Sequence, residues 1–374
     1  MQQICVPAVV RRRAVSQAAE TILRTKHRGV WKAITWSELD ATVARIGSAL
    51  LTAGFGRGDV AAVISETRPE AAYADLAILG CGAASLAIHP EDEADRLGHI
   101  LASSGTRLAF VENEEQLDKV LSIRDRCPAL GRIVVFEMKG LRDYVDAMVV
   151  SLAAFAETPR PDWPHSVQAI AADQPAVIQF SRSEASGFGR ILTHGDLSHM
   201  IGAAAGRLAI RPGDERLAVL RMADITERAW GLYLGLQTGC ISNYPERPDT
   251  MLENLQELQP TVLGANSGVW ASLHALASLR AKNATRSQRI AYEWALGIGG
   301  AKGMLAGLIV LPAVRREFGL NRLRVAYVGG AAVQQAAGEW AASLGITIQR
   351  LDEPAPGPDQ LDERYQSLMH NAYA

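Results

Sequence analysis

From Thr35 to Phe55 the sequence TWSELDATVARIGSALLTAGF sets Leu39, Val43, Ile46, Leu50 and Leu51 at helical spacing, which gathers apolar side chains on one face. Ser37 reads as the N-cap and Gly54 as the stop. DVAAVISE follows without polar alternation, the pattern of a strand covered on both faces. PEAAYADLAILGCGA returns to a helix and ASLAIHP to a strand, and EADRLGHILASSG, RLAFVEN and LGRIVVFE extend the alternation. Helices alternating with continuous apolar strands predict an α/β fold with a parallel or mixed sheet between helical layers.

Residues 139 to 173 are less regular, and Pro159, Pro161 and Pro164 mark a crossover. The expected division is a first α/β subdomain over residues 1–150 and a second over 151–374. In the second, AVIQF, a helix from Asp196 to Leu208, RLAVL, a helix near Trp230, and CISNY alternate again. TMLENLQELQPTVLGAN, a helix from about Val269, RLRVAYVGGAAV and WAASLGITIQRL complete the series. No repeat of solenoid length interrupts it.

Composition narrows the partners. The chain has 374 residues, 48% hydrophobic, with 38 basic and 40 acidic side chains and a formal charge of -2. That balance offers no field for nucleic acid or anionic lipid. Cys5, Cys81, Cys127 and Cys240 lack metal-site spacing and read as free thiols of a reducing compartment. The N-terminal MQQICVPAVVRRRAV reverses the charge order of a secretory signal, and LAGLIVLPAV is too short to span a bilayer. A cytoplasmic protein is the expectation.

One stretch points to chemistry. AVIQFSRSEASGFGRILTHGDL, Ala176 to Leu197, places a strand, a Ser/Gly-rich turn and a helix start in sequence. Small residues in that order let backbone N–H groups turn toward an anion. The turn nevertheless carries Arg182, Glu184 and Phe188, and no lysine.

Several other pieces share an order with that turn: VWKAITWSELDATVARIGSALLTAGFGRGDVAAVISETRPEAAYADLAILGCGAASLAIHP, ITERAWGLYLGLQTG, MLENLQELQPTVLGANSGVW, LPAVRREFGLNRLRVAYVGGAAV and WAASLGITI. Together, from about Thr25 to Ile348, they resemble long-chain acyl-CoA synthetases of the adenylate-forming, AMP-binding superfamily. The resemblance implies the large N-terminal region of that fold, two sheet-and-helix subdomains, with the small C-terminal domain absent. It also implies that residues 178–194 correspond to the loop that cradles ATP phosphates in active relatives.

On that correspondence a vestigial nucleotide site comprises Ser181, Arg182, Ser183, Gly187, Arg190 and Thr193, with Gly329, Gly330 and Ala331 beside the adenine. ATP or AMP and magnesium are its cofactors only if the site is retained. The family's YGxTE-like motif falls near Asp352, Ala355 and Pro356, which stand in place of the ring that stacks on adenine, the threonine that touches phosphate and the glutamate that holds magnesium, and none can do the corresponding work. Asp224 stands where relatives have a histidine, with Glu227 and Arg228 kept. Glu184 puts a negative charge where polyphosphate would approach, while Arg182 or Arg190 could offset it through a bidentate fork.

Local readings compete with these. His194 and His199 suit capping or packing better than metal, and Trp230 and Tyr233 suit core. Gly329 and Gly330 admit either a ligand or a plain turn. Glu112, Glu114 and Glu115 read as a solvated acidic turn. The expected function is a catalytically defective acyl-CoA synthetase homologue, with no catalytic or metal-binding residues assigned, which binds an acyl ligand or a protein partner, a second copy included. The alternatives are an ATP-dependent fatty acid-CoA ligase completed by a partner, and a purely structural subunit.

Overall fold

The computed structural model describes residues 5–156, 162–180, 190–283 and 311–352. Their strands form two seven-stranded sheets. The first contains β3 (Val60–Ile64), β4 (Ala84–Ile88), β5 (Leu108–Val111), β6 (Arg132–Val135) and β7 (Val149–Ser151), with β8 (Pro175–Gln179) and β9 (Arg190–Thr193), in the order β7-β6-β5-β3-β4-β8-β9. The second contains β10 (Glu215–Leu217), β11 (Ile241–Tyr244), β12 (Val262–Ala265), β13 (Val325–Gly329) and β14 (Ile348–Leu351), with β1 (Thr21–His27) and β2 (Val30–Thr35), in the order β14-β13-β12-β10-β11-β1-β2.

The two orders are the same arrangement made twice. Each sheet has five parallel strands whose first member lies between its second and third, and an antiparallel strand pair beside the second. The pairs are exchanged: β1 and β2 precede the first parallel set but join the second sheet through β11, whereas β8 and β9 precede the second set but join the first through β4. Each sheet therefore draws strands from both sides of residue 150.

Burial follows the pleat. In β3, Ala61 and Val63 enter the central core while Val60, Ala62 and Ile64 enter the outer core of the first sheet. The central core also takes Ile22, Leu23, Tyr244 and Tyr327 from the second sheet, so one layer of helices is shared by both sheets. Helices Ala94–Ser103 and Glu114–Leu121 cover the far face of the first, and Ser267–Asn283 and Gln335–Ser343 that of the second.

The helix Trp36–Thr52 buries Leu39, Val43, Ile46 and Leu50 as expected, but its cap is Thr35 and not Ser37. The Thr35 hydroxyl accepts from the Glu38 backbone at 3.3 Å and the Glu38 carboxylate accepts from the Thr35 backbone at 2.8 Å. A capping box needs its carboxylate three residues after the cap, and only Thr35 has that spacing to Glu38.

This helix and Pro69–Gly80 meet around the buried indole of Trp163. A Cβ on Gly47 would lie 2.0 Å from that ring and one on Gly80 2.2 Å from it. Both glycines are thus cleared for one aromatic wedge.

Candidate active-site cleft

The carboxyl ends of both sheets open onto one cleft of about 870 Å³. Glu66 to Glu70 follow β3, Glu112 follows β5 and Glu137 follows β6; Ala218 to Arg221 follow β10 and Asn266 follows β12. In both sheets these neighbouring parallel strands lead to opposite sides, β3 to β4 but β5 to β6, and β10 to β11 but β12 to β13, which is where open α/β sheets leave room for a ligand.

The cleft is strongly ion-paired. Arg68 reaches Glu70 at 2.8 Å, Glu112 at 3.3 Å and Glu137 at 3.8 Å. Arg221 lies 3.7 Å from Glu66 and also pairs with Glu91. Two guanidiniums thus face five carboxylates, with Asp224 3.6 Å from His89 nearby. Burial raises the Glu66 pKa against the pull of Arg221. On the opposite wall Lys26 is held by Asn254 and Glu257, and Arg247 by Asp249.

Glu112 corrects the expectation of a solvated turn. Its carboxylate accepts from the Glu66 backbone at 2.7 Å and the Ser65 hydroxyl at 3.2 Å, because β5 ends beside β3. Glu114 and Glu115 are exposed, at the start of the following helix.

Of the nine nucleotide-site candidates, Ser181, Arg182, Ser183 and Gly187 lie outside the described residues, as do Glu184 and Phe188. Arg190 pairs with Gln179 at the carboxyl end of β8, whereas Thr193 pairs with Pro175 at its amino end. Gly329, Gly330 and Ala331 sit at the carboxyl end of β13. Arg190 thus lies at the carboxyl end of the first sheet and Gly329 to Ala331 at that of the second, Thr193 lies at the other end of its strand, and none of the five lines the cleft.

Thr193 is engaged as a helix cap. Its hydroxyl donates to Asp196 at 2.8 Å and accepts from the Asp196 backbone at 3.1 Å. The next residue, His194, is buried, and the cost of burying charge lowers its pKa to about 4. The unfolded chain binds this proton near pH 6.5, so the stabilising contribution of neutral His194 is complete above that pH and declines as pH falls toward 4. Roughly 3 kcal/mol separates the two limits. His194→Gln should flatten that part of a denaturation series between pH 7 and 4; an unchanged slope would remove His194 as its source.

The space beside Gly329 is filled by protein. A Cβ there would lie 2.3 Å from the Thr226 hydroxyl oxygen and 2.8 Å from the Trp230 ring. Gly330 has φ +71° and donates its N–H to the Leu351 carbonyl at 3.3 Å. Tyr327 donates to the Trp230 carbonyl at 2.6 Å and packs over Gly264. Trp230 and Tyr233 are core residues as expected. Asp352 projects from the end of β14 into an ion pair with Arg350 at 2.8 Å, and Ala355 and Pro356 fall outside the described residues.

Thr226 and Trp230 belong to a π-helical segment, Thr226–Tyr233, that continues into the helix Leu234–Thr238. Its two adjacent charges hold opposite sheets. Glu227 accepts twice from Arg216 of β10, at 2.6 and 2.7 Å, while Arg228 pairs with Asp75 of the helix Pro69–Gly80. Asp75 also accepts from Ser85 and Tyr233, each at 2.6 Å. Burial raises the Glu227 pKa and Arg216 opposes it. Sequence reading missed Asp75 and Arg216; the adjoining Glu and Arg in an otherwise apolar helix were the signal.

The profile of the AMP-binding enzyme family matches residues 10–351. The chain is 22% identical over 356 residues to long-chain-fatty-acid-CoA ligase ACSBG2 of Rattus norvegicus, covering 87% of this chain and 53% of that protein. It is 25% identical over 337 residues to long-chain-fatty-acid-CoA ligase FadD15 of Mycobacterium bovis, covering 86% and 55%. Among solved structures, anthranilate CoA ligase AuaEII in complex with anthranoyl-AMP superimposes with TM-score 0.71 at 16% identity, over 95% of this chain and 60% of that one. Acetoacetyl-CoA synthetase from Streptomyces lividans gives TM-score 0.70 at 15% identity, over 94% and 52%. The chain spans about half the length of the curated relatives it matches. No helix among the described residues is long and apolar enough to cross a membrane.

Proposed function

Because the chain belongs to the AMP-binding enzyme family, we propose that it keeps the acyl-CoA ligase frame without the ligation chemistry and acts as an acyl-ligand- or partner-binding protein. The observation that carries this reading is the ion pairing of the cleft. Arg68 and Arg221, the two guanidiniums at the ends of β3 and β10, are already surrounded by five carboxylates. A triphosphate entering there must compete with those carboxylates for both guanidiniums in a confined site, where repulsion is less screened than in water.

The chemistry expected of the family does not fit these residues. Asp224 stands where the resemblance puts a histidine, Asp352 is paired with Arg350, and the sequence from Ser181 to Gly189 that bears Glu184 contains no lysine. The described residues bring no three His, Cys, Asp or Glu side chains together in a metal-holding geometry. Removing one donor to a developing transition-state charge costs about 10² to 10³ in rate, and several are replaced here.

Incubation of the purified chain with palmitate, ATP, magnesium and CoA is expected to release no fatty-acid-dependent pyrophosphate above a protein-free control. Titration calorimetry should give heat with palmitoyl-CoA and none with ATP or AMP. Fatty-acid-dependent pyrophosphate would overturn the reading in favour of an active ligase.

A further inference from the structure

A second cavity of about 650 Å³ lies at the amino ends of β5 and β6, the opposite edge of the first sheet from the cleft. Its floor is apolar: Leu108 is fully buried, Phe55 nearly so, and Val150 and Phe155 are half-buried. Phe155 is fixed edge-on to Phe110, with ring centroids 5.9 Å apart.

Two guanidiniums stand at the rim. Arg132 pairs with Leu108 across the strands, and Arg107 precedes Leu108, so register places both at the same end of the sheet. Arg107 stacks over Phe55 at 4.9 Å and is balanced by Asp59. Arg132 is exposed and adds a second positive charge, leaving the rim with a net charge of about +1 on these three groups.

We propose that this groove binds a small anionic amphiphile: a monocarboxylate whose apolar body lies on Val150 and Phe155, backed by the buried Leu108 and Phe55, while its carboxylate meets Arg132. The volume is in the range of about 300–1,000 Å³ typical of small-molecule sites, and an apolar floor with few charged groups is their usual composition. Arginine presents a planar fork that matches a carboxylate. The proposal is independent of the reading of the cleft, since the two sites share no lining residue.

Titration calorimetry with octanoate, and with octanol as the uncharged control, tests it on the full chain. Octanoate should bind with one-to-one stoichiometry, and octanol at least tenfold more weakly. Arg132→Ala should weaken octanoate about tenfold, as loss of one charge-assisted contact does. Ala53→Trp, which fills the groove from the adjoining helix end, should abolish binding. Both positions are exposed, and unchanged melting temperatures will show that both variants fold. Absence of octanoate binding, equal binding of octanol, or binding that survives Ala53→Trp would overturn the proposal. So would a dimer of the unmodified chain that Ala53→Trp dissociates without any octanoate effect, because the groove would then receive a second copy.

Discussion

Asp75→Ala is expected to lower the stability of the chain by about 3–5 kcal/mol, the usual result of leaving one member of a buried ion pair uncompensated. Asp75 is fully buried and accepts from Arg228, Ser85 and Tyr233. Alanine would strand the Arg228 guanidinium and the Tyr233 hydroxyl in the central core. Desolvation, not lost attraction, dominates the cost, which gives a second expectation: Asp75→Leu combined with Arg228→Met should recover most of it. Urea denaturation of the single and double variants measures both. A single-variant loss below about 1 kcal/mol, the scale of exposed pairs, would show that the network does not hold the two sheets.

Trp163→Ala should be comparably destabilising, about 3–5 kcal/mol, through loss of a large buried aromatic and the void left between two helices. The converse change tests the geometry. Alanine at Gly47 or Gly80 would place a Cβ 2.0 or 2.2 Å from the ring, and overpacking of this kind costs typically 1–3 kcal/mol. In a Trp163→Ala background the same glycine substitutions should become nearly neutral or stabilising, since the clash is gone and alanine favours helix over glycine. Additive losses in the combined variants would sink the wedge.

The layered fold was legible because its strands are continuous apolar runs and its long helices carry an apolar face. Leu39, Val43, Ile46 and Leu50 reach the core that their spacing predicts. Partnership between distant strands was not legible. Nothing local in TILRTKH says that it will lie beside Ile241–Tyr244, since any apolar strand end can accept such a neighbour. Side-chain roles at strand ends were hidden for the same reason: Glu112 is shielded only because β3 ends next to it. Gly329 shows the limit of reading a motif, as its missing side chain is used by Thr226 and Trp230 of a helix a hundred positions earlier. Among the nucleotide-site candidates, the placement of Arg190 at the carboxyl end of one sheet and of Gly329 to Ala331 at that of the other comes from strand topology, which the motif order alone cannot supply.

The exchange of strand pairs between sheets also orders events during synthesis. The β1 and β2 pair leaves the ribosome well before β11, since the contact from Arg24 to Asn243 spans 219 positions. Until that partner emerges, one side of β1 presents unpaired backbone groups, the condition under which nascent chains pair with the wrong neighbour. Contacts of such separation also slow folding, because a long loop must close before they form. The β1 and β2 pair is therefore fixed only after the 219 positions between Arg24 and Asn243 have been made, and chaperone capture in that interval would protect the second sheet more than the first.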